Sequence, residues 1–229
     1  MEKCKKRNPF RLFEETNSEI EYLLSIPKDQ LALFAGIIDG DGYISIVRSD
    51  KKRGYVSISL KIGLVYKDLP MLESFQKLLK IGRIAGPYKN IKGQDTVYLI
   101  FNRTELQQVL YPLFIYHKIY FLTKERRNQY LKSIYCMESE EVKFKEEIKI
   151  LETAEVESIT IENPSNLIKF TGIPKLPQTA QEYLDLPFFN AWLVGFTISP
   201  QRGGRVLFLL KVNQMLVLNY DNEITLYYF

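Results

Sequence analysis

Two carboxylates, Asp39 and Asp41, alternate with Gly40 and Gly42 in the string D-G-D-G. Carboxylate oxygens together with a backbone carbonyl form a hard donor set of the kind that suits Mg²⁺ or Ca²⁺. The same string is also common turn chemistry, since Asp and Gly each favour tight turns. What precedes it gives it weight. Residues 30–46 read Q-L-A-L-F-A-G-I-I-D-G-D-G-Y-I-S-I. Leu31, Leu33, Phe34, Ile37 and Ile38 cover more than one face of a helix, and a helix that is apolar all round is a buried one. Ala35 and Gly36 sit in its middle, where Gly costs ~1 kcal/mol against Ala; such small residues let a second backbone come close. Gly40 and Gly42 are expected to end the helix and to permit unusual backbone angles. Tyr43 to Ile46 then reads as a strand. A buried helix therefore delivers two carboxylates to its C-terminal end. That end carries partial negative charge and disfavours them by about 0.3–1 kcal/mol. A bound divalent cation would reverse the sign of that cost.

The elements that must position this end follow in order. Residues 16–25 form a short helix that stops before Pro27, and Asp29 is the expected N-cap of the long buried helix. Residues 43–48 and 55–62 are two strands joined by a Lys- and Arg-rich turn. The second alternates cleanly, with Val56, Ile58, Leu60 and Ile62 on one face and Tyr55, Ser57, Ser59 and Lys61 on the other. Residues 67–80 read as a helix with Asp68 as N-cap and Pro70 in its first turn. Residues 82–85 and 96–103 form a second hairpin in which Val97, Leu99 and Phe101 oppose Thr96, Tyr98 and Asn102. Helices over 104–114 and 123–137 follow, with Thr104 and Thr123 as N-caps. The order of helix, two strands, helix, two strands, helices predicts an α+β domain. It has a four-stranded antiparallel sheet with its helices on one side. The other side of the sheet is left open and polar.

The chain has 229 residues and a net charge of +4, enough for one large or two small domains and compatible with nucleic acid as a partner. Cys4 and Cys136 make no disulfide framework and have no metal spacing. The basic segment 1–13 lacks the apolar core of a secretory signal, and no apolar run approaches the ~20 residues needed to span a bilayer. No membrane partner is expected. His117 is the one histidine and has no Ser, Cys or second His with which to form a nucleophile or zinc pattern.

Residues Phe34 to Gly42, F-A-G-I-I-D-G-D-G, resemble the signature helix of the LAGLIDADG homing endonucleases and maturases, with Phe, Ile and Gly as substitutions within that motif. The element order over 29–137 is similar to one half-domain of that family. The resemblance implies the LAGLIDADG fold: an αββαββα half-domain with a saddle-shaped sheet that binds double-stranded DNA. It implies Asp41 as the catalytic acid and Mg²⁺ ligand, assisted by the Gly40 carbonyl. It implies helix packing through Phe34, Ala35 and Gly36. It places Tyr43, Ser45, Val47, Tyr55, Ser57, Ser59, Lys61, Tyr98 and Asn102 against nucleic acid, with Arg48, Lys51, Lys52 and Arg53 setting register on phosphates. The late segment I-Y-F-L-T-K-E-R-R resembles the family's basic helix start. It implies Lys124 as a catalytic lysine at the scissile phosphate and Arg126 and Arg127 as phosphate contacts.

Residues 138–162 are rich in Glu and Lys, and 163–187 hold five of the prolines and glycines of a connector: Pro164, Gly172, Pro174, Pro177 and Pro187. The expected organisation is therefore a 1–28 extension, a 29–137 half-domain, a 138–187 linker and a truncated second repeat over 188–229. F-F-N-A-W-L-V-G-F-T-I-S, residues 188–199, resembles a second signature helix, with Gly195 corresponding to Gly36. An acid should follow Ser199, yet the chain continues P-Q-R-G-G-R and reaches no carboxylate before Asp221. Two readings remain. Residues from Gly204 on, read one nucleotide earlier with free codon choice, can yield E-G-T-F-L-I-K-S and a normal second repeat, which implies a shifted frame. Alternatively V-L-F-L-L-K-V and I-T-L-Y-Y-F are strands of a divergent terminal hairpin.

By resemblance the chain is an intron-encoded, metal-dependent DNA endonuclease whose cleavage is impaired by the missing second acid. A homodimer through the first signature helix would restore two acids. An RNA-binding maturase acting on intron RNA, or an inactive decayed frame, are the alternatives. The family's home in organelle introns implies a mitochondrial location.

Overall fold

The computed structural model describes residues 18–48, 56–91, 93–138, 174–198, 207–211, 214–218 and 224–227. The expected basic N-terminal segment, the turn residues Lys51, Lys52, Arg53 and Tyr55, and most of the linker lie outside the described residues.

Helix α1 (Ser18–Leu24) leads through Pro27 into α2 (Lys28–Asp41). The helix has no side-chain cap: Pro27 is its N-cap, and the amides of Gln30 and Leu31 both donate to the Pro27 carbonyl. Asp29 is thus a first-turn acid facing the positive helix end, and the expected N-cap at this position is corrected. Every residue of α2 from Leu31 to Gly40 is buried except Leu33, as its all-round apolar character requires. The helix runs through Asp41, and strand β1 (Gly42–Arg48) starts at once. Gly42 adopts an ordinary extended conformation (φ −75°, ψ 160°). Glycine is needed there for space, since a Cβ would lie 2.5 Å from the Ile38 carbonyl oxygen.

Strand β2 (Val56–Val65) pairs antiparallel with β1, with Tyr43 opposite Lys61 and Ser45 opposite Ser59. A 3₁₀ turn leads to α3 (Leu69–Leu79), where Asp68 holds the N-cap position without a side-chain bond. Strands β3 (Arg83–Lys89) and β4 (Asp95–Asn102) complete an antiparallel sheet of order β1-β2-β4-β3. The expected alternation holds: Val56, Ile58, Leu60, Ile62, Val97, Leu99 and Phe101 are buried against the helices. Phe34 of α2 is the centre of that layer, with its ring 4.6 Å from Phe75 and 5.9 Å from Phe101.

Beyond β4 the chain turns into α4 (Arg103–Glu105), passes through a π turn at Leu106–Leu110 and continues as α5 (Tyr111–Tyr116). Asn102 caps this run in a reciprocal box with Glu105, so the helix starts earlier than Thr104 would have placed it. Helix α6 (Lys124–Glu138) follows. Thr123 caps it as expected, its Oγ1 accepting the Arg126 amide at 3.3 Å.

Within the segment expected to be a connector lies a short helix, α7 (Ala180–Leu184), and then α8 (Phe189–Ile198). At the C-terminal end β5 (Leu207–Lys211), β6 (Gln214–Leu218) and β7 (Ile224–Tyr227) form an antiparallel meander. The two apolar runs named from the sequence are its outer strands, and a third lies between them.

Candidate nucleic-acid interface and acidic helix terminus

The α2–β1 junction, residues 38–44, is held from one side by the segment that opens α6. The Leu122 amide donates to Asp39 Oδ2 at 2.7 Å, and the Thr123 hydroxyl donates to Asp39 Oδ1 at 2.7 Å. Arg126 Nε donates to the Ile38 carbonyl at 3.0 Å and its guanidinium also bonds Gln129. Gln129 Oε1 in turn accepts the Ile44 amide at 3.0 Å. From the other side Trp192 Nε1 of α8 donates to Asp39 Oδ2 at 2.8 Å. Asp39 is only 3% exposed. Burial pushes its pKa up to about 6, opposed by the Thr123, Leu122 and Trp192 donors and by the Arg126 charge.

Asp39 is the site residue that sequence reasoning did not assign. Its signal was present, since a second acid two residues before Asp41 must go somewhere, but its partners lie more than 80 and 150 residues away.

Helices α2 and α8 cross at van der Waals contact of their backbones. A Cβ on Gly36 would lie 2.0 Å from the Trp192 carbonyl oxygen, and one on Gly195 would lie 1.9 Å from the Leu33 carbonyl oxygen. The two glycines therefore play reciprocal parts, as their correspondence in sequence implies. Ala35 is buried in the same helix. Phe34 is corrected: it turns away from α8 toward Phe75 and Phe101. The expected homodimer through this face meets a physical obstacle, because α8 of the same chain already fills it.

Asp41 is the last residue of α2 and is half-buried, with Gly40 buried behind it. Lys124 is the first residue of α6 and is exposed. The clamp through Asp39 and Thr123 therefore fixes the two chain segments that carry Lys124 and Asp41. Among the described residues no group of three or more His, Cys, Asp and Glu side chains gathers as a metal cluster. One carboxylate and one carbonyl fit a Mg²⁺ ion, which keeps several waters and takes further ligands from phosphate. They do not make a closed protein cage.

Arg126 and Arg127 are corrected as phosphate contacts. They are only 3% and 8% exposed. Arg126 is spent on the Ile38 carbonyl and Gln129, and Arg127 donates to the Pro174 carbonyl. The basic string looked like a solvated helix face, but the residues three and four beyond a cap point back over the preceding turn, here into the junction.

The sheet's open face runs in rows across the strands. One row is Tyr43, Lys61, Ile100 and Arg83, and another is Ser45, Ser59 and Asn102. Tyr43 and Val47 are 55% and 51% exposed. Ser57, Lys61 and Asn102 are also exposed, while Ser45, Ser59 and Tyr98 are half-buried. The Tyr98 ring lies over Gly63, where a Cβ would come within 2.7 Å of it. Asn102 spends its side-chain oxygen on the cap of α4, so its amide nitrogen is the group it can turn outward. The side chain of Arg48 lies outside the described residues. Arg83, Ile100 and Tyr88 were missed from this face, although the alternation of β3 and β4 would have supplied the first two. No helix among the described residues is long and apolar enough to cross a membrane.

These features define a class: an α+β half-domain with a buried, acid-terminated helix against one face of a four-stranded antiparallel sheet. Residues 34–137 match the model of the LAGLIDADG endonuclease family. Solved structures share the fold. The meganuclease I-SmaMI bound to uncleaveable DNA matches with a TM-score of 0.50 at 18% identity, over 83% of this chain and 66% of that one. I-SmaMI bound to uncleaved DNA in the presence of calcium ions matches with 0.50 at 17%, over 82% and 65%. The meganuclease I-AabMI bound to uncleaved DNA gives 0.45 at 24%, over 82% and 64%. The chain thus spans slightly less than two thirds of the length of these proteins.

Proposed function

We propose that this chain is a DNA endonuclease of the homing type with one working cleavage centre, at Asp41. The observation that carries this reading is the asymmetry of the helix pair: α2 ends on Asp41, whereas α8 ends on Ile198 with no carboxylate in it. Asp41 and the Gly40 carbonyl would hold Mg²⁺, which when bound polarises the scissile phosphate and lowers the pKa of an attacking water. Lys124 stabilises the negative charge that develops on the phosphate. Tyr43, Ser45, Ser57, Ser59, Lys61, Tyr98 and Asn102 face the duplex and read base edges in the major groove. Supporting this reading, I-SmaMI, which is similar in fold, was solved bound to DNA, in one case in the presence of calcium ions. With one acid the chain nicks one strand in preference to cutting both. We place it in mitochondria, with introns of the kind that encode this family.

The test is the purified chain with Mg²⁺ and a supercoiled plasmid carrying the uninterrupted intron-insertion site, the exons on either side of its intron joined. Nicked circles should accumulate without concomitant linear product, and Asp41→Asn should abolish them. Nicking that survives Asp41→Asn, or prompt linearisation, overturns the reading. The missing second acid also favours one alternative, an RNA-binding splicing cofactor on the same open face. Intron splicing that survives Asp41→Asn, with no DNA cleavage by the native chain, would select it.

A further inference from the structure

We propose that Asp39 is a positioning residue of this site, a neutral-replaceable strut that docks α8 and the start of α6 onto the end of α2 and thereby sets Lys124 against Asp41; it is not a metal ligand. The inference deepens the nuclease reading and rests on it for its catalytic consequence only.

Three donors from two remote segments converge on the one carboxylate: the Leu122 amide and the Trp192 indole on Oδ2, and the Thr123 hydroxyl on Oδ1. Both oxygens are thereby occupied and directed into the protein, at 3% exposure. A ligand to an ion shared with DNA would need an oxygen open to that ion. Each bond has a distinct mechanical result. The Leu122 and Thr123 bonds fix the residues immediately before Lys124. The Trp192 bond ties α8 to the same carboxylate, next to the crossing where Gly36 meets the Trp192 carbonyl. Arg126 and Gln129 brace the flanks of the same junction through the Ile38 carbonyl and the Ile44 amide. Helix docking and lysine placement thus share one residue.

The bonding pattern also says which replacement is tolerated. An asparagine at this position can turn its carbonyl oxygen to the Leu122 amide and Trp192 indole. Its NH₂ then faces Thr123, whose hydroxyl can switch from donor to acceptor. Asp39→Asn therefore keeps all three contacts, while Asp39→Ala loses them.

The experiment uses the full chain, whose single tryptophan is Trp192, so that its fluorescence reports this contact alone. Acrylamide quenching should rise at least about twofold in Asp39→Ala, as water gains access to a loosened interface, and stay at the native value in Asp39→Asn. In the plasmid assay with Mg²⁺, Asp39→Ala should lower the single-turnover rate by about 10²-fold with plasmid binding unchanged, the effect of a small misplacement of a reacting group. Asp39→Asn should stay within about threefold of native. If Asp39→Ala does not fold, Thr123→Val tests the same link: slower nicking, unchanged quenching. Asp39→Asn that quenches normally but abolishes nicking would mean the charge itself is required and would overturn the proposal. Native quenching in Asp39→Ala, or in its absence a native nicking rate in Thr123→Val, would overturn it too. If the native chain does not nick, the nuclease reading fails, and the quenching series still decides the strut.

Discussion

Replacing Gly195 by alanine sets two effects of opposite sign against each other. In an ordinary helix the change stabilises by ~1 kcal/mol, because glycine is the poorer helix former. Here the new Cβ would lie 1.9 Å from the Leu33 carbonyl oxygen, and 2.7 Å from its carbon. Both are backbone atoms inside a buried helix, so no side chain can swing away. Restoring contact near ~3.5 Å requires α2 and α8 to part by roughly 1.5 Å. The Trp192–Asp39 bond, now 2.8 Å, cannot survive that displacement. Losing a hydrogen bond to a charged group costs about 1.5–3 kcal/mol, and a strained core costs about 1–3 kcal/mol more. Net of the helix-propensity gain, Gly195→Ala should destabilise by about 1.5–5 kcal/mol. Urea unfolding followed by Trp192 emission measures this directly. The midpoint should fall, and the native-state emission should change because the indole loses its acceptor. A variant as stable as the native chain, with unchanged emission, would refute the close crossing and the strut built on it.

Two further predictions concern charge. Asp39 has a folded pKa of about 6 against an ordinary value of 3.8, so between these values the folded chain holds a proton that the unfolded chain has released. Its contribution is full below about pH 4 and is lost as pH rises through 6, by about 3 kcal/mol in total. Urea unfolding at pH 4 and pH 7 in EDTA should show the native chain losing stability relative to Asp39→Asn by that order; an unchanged difference would count against the burial. Arg83, exposed on the row with Tyr43 and Lys61, should contact a phosphate. Arg83→Ala should weaken binding to any DNA sequence about equally and reduce the salt slope by about one, measured by fluorescence anisotropy. Loss confined to one sequence would show a base contact instead.

Periodicity carried the sequence reading furthest where one face of an element had to be buried. The alternation of Val56, Ile58, Leu60 and Ile62, and the all-round apolar run of α2, leave little choice of fold, and both appear as expected. Caps were read less well. Asp29 and Thr104 are good capping types, yet the helices begin at Lys28 and Arg103, because backbone or Asn102 groups reached the amides first. The larger departures came from contacts distant in sequence. Nothing near Arg126 says that Ile38 lies under it, and nothing near Asp39 says that Trp192 donates to it. A charged string has no period that separates a solvated face from one folded over a junction.

The correspondence of Gly36 with Gly195 carries further than the crossing itself. Three residues beyond each glycine stand Asp39 and Ile198, and five beyond stand Asp41 and Pro200. The first pair differs in surroundings as well as chemistry, since Asp39 is 3% exposed and Ile198 is 50% exposed. Helix α8 therefore lacks the residue that in α2 anchors the facing loop, as well as the acid that in α2 would meet the ion on the function proposed above. One loss without the other would leave either a well-placed site with no acid or an acid with nothing to place it. What the described contacts leave to α8 is packing against α2 and α7 and the donation of its indole to Asp39. On the function proposed above, the second helix then serves the first site, and chemistry that in a symmetric pair would be shared would fall on Asp41.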